Sequence, residues 1–128
     1  MKAPAEKSKG LKIEIERSYD IVDKPKTTPR YLVDRLWPRG IKKESLQLDL
    51  WVKELSPSDD LRKWYNHDPK KWEKFKERYY NELGKKKDEV QKFLEVIKKF
   101  EKITLVYSSA ERDINNARAL KEHLMQLR

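Results

Sequence analysis

A short stretch of the chain, residues 34–40 (DRLWPRG), concentrates side chains that can bind an anion. Asp34 is followed by two arginines, Arg35 and Arg39. Their planar guanidinium groups favour carboxylate or phosphate ligands, because two N–H groups match two oxygens at once. Trp37, between the arginines, could stack on a base or sugar of a ligand, or it could fill a place in the core. The segment therefore predicts a site for an anionic ligand, but it does not specify a reaction.

A second polar segment, residues 108–116 (SSAERDINN), leads directly into a helical pattern. The start of a helix offers free backbone N–H groups to an anion, and Ser108, Asn115 and Asn116 add hydroxyl and amide groups that can orient a ligand. Residues 34–40 and 108–116 each follow an apolar run. If these runs are parallel strands of one sheet, both segments lie at its carboxyl edge and face each other across one crevice. An antiparallel arrangement would separate them.

His67 is the candidate for proton transfer in this region, since histidine is the side chain that ordinarily titrates near neutral pH. We take Asp34 and His67 as the candidate catalytic residues, with Asp34 positioning the arginines. Structural alternatives stay open for both. Asp68 followed by Pro69 is typical of a helix start, in which Asp68 is the N-cap and His67 only a hydrogen-bonding neighbour. Asp34 could instead form an internal ion pair with Arg35.

Other kinds of chemistry have little support in the sequence. Cysteine is absent and the two histidines are far apart, so a metal would need a set such as Asp34, His67 and Glu111, whose spacing matches no metal motif, and we predict no metal site. Ser108 and Ser109 lack the G-x-S-x-G pattern of a serine nucleophile. With three glycines and no phosphate-loop motif, ATP or NAD binding is not expected, and the sequence leaves the cofactor unknown.

Strands are predicted where apolar residues alternate with charged ones or form a compact run. The predicted strands are 11–15, 31–36 and 103–107, while 48–53 could be a short strand or an apolar linker and 18–29 reads as a loop.

Helices are predicted where apolar residues recur at three- and four-residue spacing. They are a short turn at 43–46, a helix from Ser56 to Asn66, one from Asp68 to Gly84, one at 88–100 and one at 117–127. Ser56 is the expected N-cap of its helix, with Pro57 at the first helical position.

The order of these elements is strand, strand, several helices, strand and helix. A long helical excursion between strands is typical of a parallel crossover. We therefore predict one α/β domain over residues 11–128, helix-rich, with a small, mostly parallel sheet of about three to four strands flanked by helices. Residues 1–10 are expected to be a disordered basic tail.

The composition limits the cellular compartments and the partners that are expected for this protein. The chain has 128 residues, of which 41% are charged, and no cysteine, which fits a cytoplasmic protein without disulfides. No apolar run approaches the ~20 residues that span a bilayer, so no membrane partner is expected. The net charge of +9 has two explanations. Interleaved Lys and Glu are typical of a thermophile surface, and a basic surface also suits a polyanionic partner.

Four motifs occur in order along the chain: VDRLWPRG at 33–40, LWVKELSPS at 50–58, LRKWY at 61–65 and HDP at 67–69. Together they resemble the YeaO-like family, a domain of unknown function designated DUF488, over about residues 11–127. The resemblance implies the family's fold and the same site location, but no activity, because none is established for the family. Many relatives have a histidine where this chain has Ile114.

The function that these observations predict is binding, with turnover left open, of a small anionic or phosphate-bearing ligand. Arg35 and Arg39 would hold the anion, and Ser108 and Asn115 would orient it. The alternative is a non-catalytic nucleic-acid-binding protein that uses its Lys and Arg surface. A third possibility is a subunit whose crevice is filled by a partner protein. The sequence does not indicate an oligomeric state.

Overall fold

A four-stranded parallel sheet forms the centre of the molecule. The structure is a computed structural model that describes residues 10–127, so most of the predicted N-terminal tail lies outside the described residues. The strands are β1 (Lys12–Arg17), β2 (Arg30–Leu32), β3 (Leu50–Trp51) and β4 (Lys102–Tyr107), in the spatial order β1-β4-β2-β3. The predicted α/β class with a small parallel sheet is confirmed.

Strand β4 is central because its sequence is apolar along its whole length. After Lys102, every residue of the strand is buried, as expected for a parallel strand covered on both faces. It pairs with β1 on one side, where Ile13 lies opposite Ile103, and with β2 on the other, where Tyr31 lies opposite Leu105. Strand β4 therefore lies between β1 and β2 and forms hydrogen bonds with both.

Within residues 10–127, six α-helices surround this sheet. They are α1 (Ser18–Ile21), α2 (Lys43–Leu46), α3 (Asp59–Tyr65), α4 (Trp72–Gly84), α5 (Lys87–Ile97) and α6 (Asn116–Leu127), with 3₁₀ turns at Lys53–Leu55 and Pro69–Lys71. Five of the six match predicted helices, whereas α1 lies inside the segment predicted to be a loop. No helix among residues 10–127 has both the length and the apolar character needed to cross a membrane.

The core lies on both faces of the sheet, because successive side chains of a strand point to opposite sides. Tyr31, Val33 and Leu105 belong to the larger cluster, together with the buried stripes of α3 to α6. Leu32 and Val106 belong to a smaller cluster under the loops and short helices that follow β1 and β2. Buried side chains therefore cover both faces of the sheet.

The predicted N-cap of α3 was wrong by two residues. Ser58, not Ser56, caps the helix, and its hydroxyl accepts a hydrogen bond from the Leu61 N–H at 3.1 Å. The same hydroxyl donates to the Glu82 carboxylate of α4 at 2.5 Å, and the Ser58 N–H donates to Glu82 at 2.9 Å. Ser56 is buried and donates instead to the Lys53 carbonyl at 2.7 Å. A distant carboxylate thus decides between two serines that look equivalent in the sequence.

Candidate anion-binding site

The two polar segments meet at the carboxyl edge of the sheet, as the parallel topology predicts. Strands β2 and β4 are neighbours, with Leu32 opposite Val106, so the chain leaves both strands at the same level. The Ser108 N–H donates to Asp34 Oδ2 at 2.9 Å, and Asn116 Nδ2 donates to Asp34 Oδ1 at 3.0 Å. The predicted convergence of residues 34–40 and 108–116 is therefore confirmed.

A crevice of about 380 Å³ opens between these segments and the C-terminal end of α3. This volume lies within the range of small-molecule sites. The eight residues proposed from the sequence as catalytic or ligand-binding all line it, namely Asp34, Arg35, Trp37, Arg39, His67, Ser108, Asn115 and Asn116. The structure brings them together, and their individual roles stay predictions.

Asp34 lies at the end of β2, partly buried, and its carboxylate is held by neutral donors. Burial raises the pKa of Asp34 above its ordinary value, and the hydrogen bonds from Asn116 and Ser108 oppose that rise. The ion pairs among residues 10–127 do not include Asp34. The expectation that Asp34 positions Arg35 and Arg39 was therefore wrong, because the aspartate is fixed by the 108–116 segment instead.

Four basic side chains line the crevice. Arg35 donates from Nε to the Pro57 carbonyl at 3.0 Å, which fixes its direction. Arg39 is exposed, and its backbone carbonyl accepts a hydrogen bond from the Tyr19 hydroxyl at 2.8 Å. Arg62 and Lys63 of α3 complete the set. Asp34 is the one carboxylate lining the crevice within the described part of the chain, so the lining is strongly basic.

Arg62 and Lys63 were missed by the sequence-based prediction. Charged residues in an amphipathic helix usually form its solvated face, and both side chains do pair there with Asp59, at 2.6 and 3.4 Å. Their place in the LRKWY motif, just before the predicted helix end, was the available signal. Both ion pairs are exposed and therefore weak, and the single Asp59 carboxylate cannot offset both positive charges.

The turn after α3 places His67 at the crevice in an uncommon backbone conformation. Asn66 and His67 have φ angles of 44° and 56°, in the left-handed region that non-glycine residues seldom adopt. His67 is exposed, and its Nδ1 lies 3.3 Å from the Ser109 hydroxyl. Asp68 caps the following turn by accepting the Lys70 N–H, so the predicted N-cap role of Asp68 is confirmed. Backbone strain of this kind often accompanies a functional position.

Three side chains of the second segment were proposed to bind a ligand, namely Ser108, Asn115 and Asn116, and each has a partner within the protein. Asn115 caps α6, since its Oδ1 accepts the Arg118 N–H at 2.9 Å, and its Nδ2 donates to the Glu111 carbonyl at 2.8 Å. Asn116 also donates to the Val33 carbonyl at 3.0 Å. The Ser108 hydroxyl bonds with that of Ser18 at 2.9 Å. These groups build the crevice, and direct contact with a ligand stays a prediction for each.

Trp37 packs against the core, which is the structural alternative to stacking on a ligand. Its Nε1 donates to the Ile41 carbonyl at 2.7 Å, and its ring meets Trp51 edge to face at 5.6 Å in the smaller core cluster. The indole is only partly buried, so part of it still lines the crevice. Trp37 therefore joins the core to the site.

Part of the crevice lining is aromatic. Tyr65 and Phe75 stack with ring centres 4.3 Å apart, and both line the crevice. The Tyr65 hydroxyl donates to the Ile114 carbonyl at 2.9 Å, and burial raises the pKa of Tyr65 to about 12, so this donor stays protonated. Among residues 10–127 no three His, Asp or Glu side chains group closely enough to hold a metal ion.

Comparison with known proteins places the chain in a family. A family model described as the inactive DUF488-N3 subclade matches residues 12–127. The uncharacterized protein YeaO of Escherichia coli (strain K12) is 38% identical over 117 residues, which cover 91% of this chain and 100% of that protein. This chain belongs to the YeaO-like DUF488 family. The uncharacterized protein Rv3073c of Mycobacterium tuberculosis is 40% identical over 72 residues, or 56% of this chain and 60% of that protein. No solved structure matches the chain.

The motifs that suggested the YeaO-like family surround one crevice in this member. The DRLWPRG segment lines it, LRKWY supplies Arg62, Lys63 and Tyr65, and the HDP step supplies His67. Motifs far apart in the sequence are thus neighbours in the fold.

Proposed function

We propose that this YeaO-like protein binds a small anionic, phosphate-bearing ligand in the crevice at the carboxyl edge of its sheet. The observation that carries the proposal is the convergence of Arg35, Arg39, Arg62 and Lys63 on a crevice with one lining carboxylate. Arginine forks and a lysine point charge are the donors that phosphate favours in proteins. Arg35 and Arg39 hold the anion, and α3 adds the remaining positive charge.

Binding without turnover is the form of the proposal that the family best supports. The matching family model is described as an inactive subclade, and we extend that description to this chain. The only histidine lining the crevice within the described residues, His67, is exposed at its mouth and contacts a serine hydroxyl rather than a carboxylate. Such a histidine lacks the orienting carboxylate that activates many general bases.

The substitution Arg39→Ala tests the proposal. Arg39 forms no ion pair among residues 10–127, so we expect its loss to change the free energy of unfolding by less than about 0.5 kcal/mol. Its loss should weaken binding of ribose phosphate about tenfold, because a charge-assisted contact disappears. Calorimetric titration measures the affinity, and thermal unfolding measures the stability.

Arg78→Ala is the matched control. The Arg78 guanidinium lies 4.2 Å from the centre of the Trp64 ring and does not line the crevice. The proposal requires that ribose phosphate bind Arg78→Ala as it binds the unchanged protein. Equal weakening in both variants, or full affinity in Arg39→Ala, would contradict it.

Nucleic-acid binding is the second candidate, and the excess of 31 Lys and Arg over 22 Asp and Glu favours it. A surface of this kind binds phosphodiester chains by releasing counterions, so the affinity should fall steeply with salt concentration. Titration of a short single-stranded DNA at several salt concentrations separates the two candidates. Strong salt dependence that Arg39→Ala leaves unchanged would favour the nucleic-acid function over the crevice.

A further inference from the structure

We propose that the ligand of the crevice carries, besides its anionic group, two adjacent hydrogen-bond donors that bind the Asp34 carboxylate. This inference rests on the proposed function, and it specifies the chemical groups of the ligand that lie beyond its phosphate. A vicinal diol of a sugar phosphate and the N–H edge of a nucleobase are the two sources of such a donor pair. The shared chemistry is a phosphate at one end and a neutral donor pair at the other.

The first argument is that the Asp34 carboxylate can accept more hydrogen bonds than the protein provides. Oδ1 accepts from Asn116 Nδ2 at 3.0 Å and Oδ2 accepts from the Ser108 N–H at 2.9 Å. A carboxylate oxygen can accept two hydrogen bonds, so these two contacts leave each oxygen one further acceptor position. The Ser108 hydroxyl also lies close enough to lower the pKa of Asp34, and a ligand donor competes with it for one of these positions. Asp34 lines the crevice, which makes a ligand the available donor. Two acceptor positions on one planar group match two neighbouring donors.

The second argument is that Asp34 is fixed before any ligand arrives. Asn116 belongs to the first turn of α6 and also holds the Val33 carbonyl at 3.0 Å, so its amide is clamped to the end of β2. The Ser108 N–H is part of the backbone that follows β4. A carboxylate held from two sides by neutral donors binds with little further ordering, which favours affinity.

The third argument is the separation of charge within the crevice. Four basic side chains line it, yet none forms an ion pair with Asp34 among the described residues. A ligand phosphate is attracted to the basic groups and repelled by the carboxylate, so it binds away from Asp34. A cationic partner for Asp34 is repelled by the same basic groups. The group that approaches Asp34 is therefore neutral and donates hydrogen bonds.

The fourth argument is the size and lining of the space. A volume of about 380 Å³ exceeds what a phosphate ion fills. Tyr65, Phe75 and Pro57 give part of the lining an apolar character, which suits the body of a ring-containing ligand. An anion clamp, an apolar wall and a carboxylate at the sheet end are the contacts that a phosphorylated sugar or nucleotide needs.

Titration of the unchanged protein with related nucleotides tests the inference without any mutation. Guanosine monophosphate has both donor pairs, deoxyguanosine monophosphate lacks the diol, and inosine monophosphate lacks the amino group of the base edge. We expect one of the two analogues to bind at least about tenfold more weakly than guanosine monophosphate, since the carboxylate then loses a donor. The weaker analogue identifies the source. Equal affinity for all three overturns the inference.

Asp34→Asn provides the second test, because it converts half of the carboxylate into a donor. We expect the variant to bind guanosine monophosphate about as weakly as the unchanged protein binds the weaker analogue, while its affinity for inorganic phosphate stays the same. Asp88→Asn, an exposed position on α5, is the matched control and should bind both ligands normally. Thermal unfolding shows whether each variant is folded, and the nucleotide comparison in the unchanged protein does not depend on that result.

The outcomes separate this inference from the proposed function. If phosphate binds and Arg39→Ala weakens it, but Asp34→Asn affects guanosine monophosphate and phosphate equally or not at all, the donor pair is refuted and the anion site stands. If the unchanged protein binds neither phosphate nor any nucleotide, or if Arg39→Ala has no effect, the anion site fails and the donor pair fails with it.

Discussion

At the scale of single residues, the informative feature is that the Asp34 carboxylate forms no ion pair with a cationic side chain among the described residues. Asp34 lies at the end of β2 and accepts hydrogen bonds from a backbone N–H and an amide. Removing a carboxylate from water costs free energy that these neutral contacts offset only in part, as the raised pKa shows. A direct guanidinium contact would lower that pKa further than the charge of Arg62, which forms no ion pair with Asp34 among the described residues, already does. A residue kept at a cost to stability is more easily explained by ligand binding than by folding.

The raised pKa of Asp34 predicts how stability depends on pH. The folded state binds the proton more tightly than the unfolded state, whose pKa is near 3.8. The free energy of unfolding therefore falls as pH rises from about that value through the raised pKa. Asp34→Asn removes this pH-dependent loss of stability. The melting temperature of the variant minus that of the unchanged protein should therefore increase as pH rises. Thermal unfolding between about pH 4 and pH 8 measures the difference.

Asp88→Asn is the control for this measurement, because Asp88 is exposed. Loss of an acid in the first turn of α5 lowers stability slightly, so its melting temperature should run parallel to that of the unchanged protein across the pH range. Parallel curves for Asp34→Asn as well would show that ionisation of Asp34 is not costly in the folded protein, against the prediction.

At the scale of elements, three pieces of structure hold the site. The segment after β2 supplies Arg35 and Arg39, the segment after β4 fixes Asp34, and α3 contributes two more cations and the turn that carries His67. Helix α3 has only seven residues, so its position depends on its ends and on its contact with α4. The hydrogen bonds between Ser58 and Glu82 provide that contact at the N-terminal end of α3.

Removal of the Ser58 hydroxyl should therefore destabilise the protein. Ser58→Ala loses the cap on the Leu61 N–H and the contact with Glu82, so we expect a cost of about 1–2 kcal/mol in the free energy of unfolding. Ser56→Ala should cost less, because the Lys53 carbonyl that it contacts also accepts the Ser56 N–H at 3.1 Å. Urea denaturation of both variants compares the two costs. A larger loss in Ser56→Ala would place the start of α3 at the other serine.

At the scale of the whole molecule, stability and site geometry depend on the same strand. Strand β4 lies between β1 and β2, carries both core clusters on its two faces, and leads directly into Ser108 of the crevice. Four strands of two to six residues leave little redundancy in so small a sheet. Damage to β4 should therefore reach the whole fold, whereas damage to the edge strand β3 should stay local.

The contrast between the central and edge strands can be measured with two leucines. Leu105 of β4 is 0% exposed, so Leu105→Ala should cost about 2–5 kcal/mol, from lost burial and the cavity left behind. Leu50 of β3 is 50% exposed, and Leu50→Ala should cost about 1 kcal/mol or less. Chemical denaturation followed by circular dichroism gives both values. Similar costs for the two variants would contradict the central role of β4.

Much of this architecture could be predicted from the sequence alone. The apolar run at 103–107 is a strand, the aromatic stripe that ends at Gly84 is a helix, and Asp68 is a cap, because each depends on residues close in the chain. The meeting of 34–40 with 108–116 was also predictable, since parallel strands have their carboxyl ends on one edge.

Only the tertiary structure decided the features that depend on contacts between distant residues. Ser58 rather than Ser56 caps α3 because Glu82, 24 residues away, meets it. Asp34 is held by Ser108 and Asn116, although Arg35 is its neighbour in sequence, because the end of β4 lies beside it. Local sequence determines which segments are helix or strand. The choice among chemically equivalent partners requires long-range packing, in which the nearest group in space need not be the nearest along the chain.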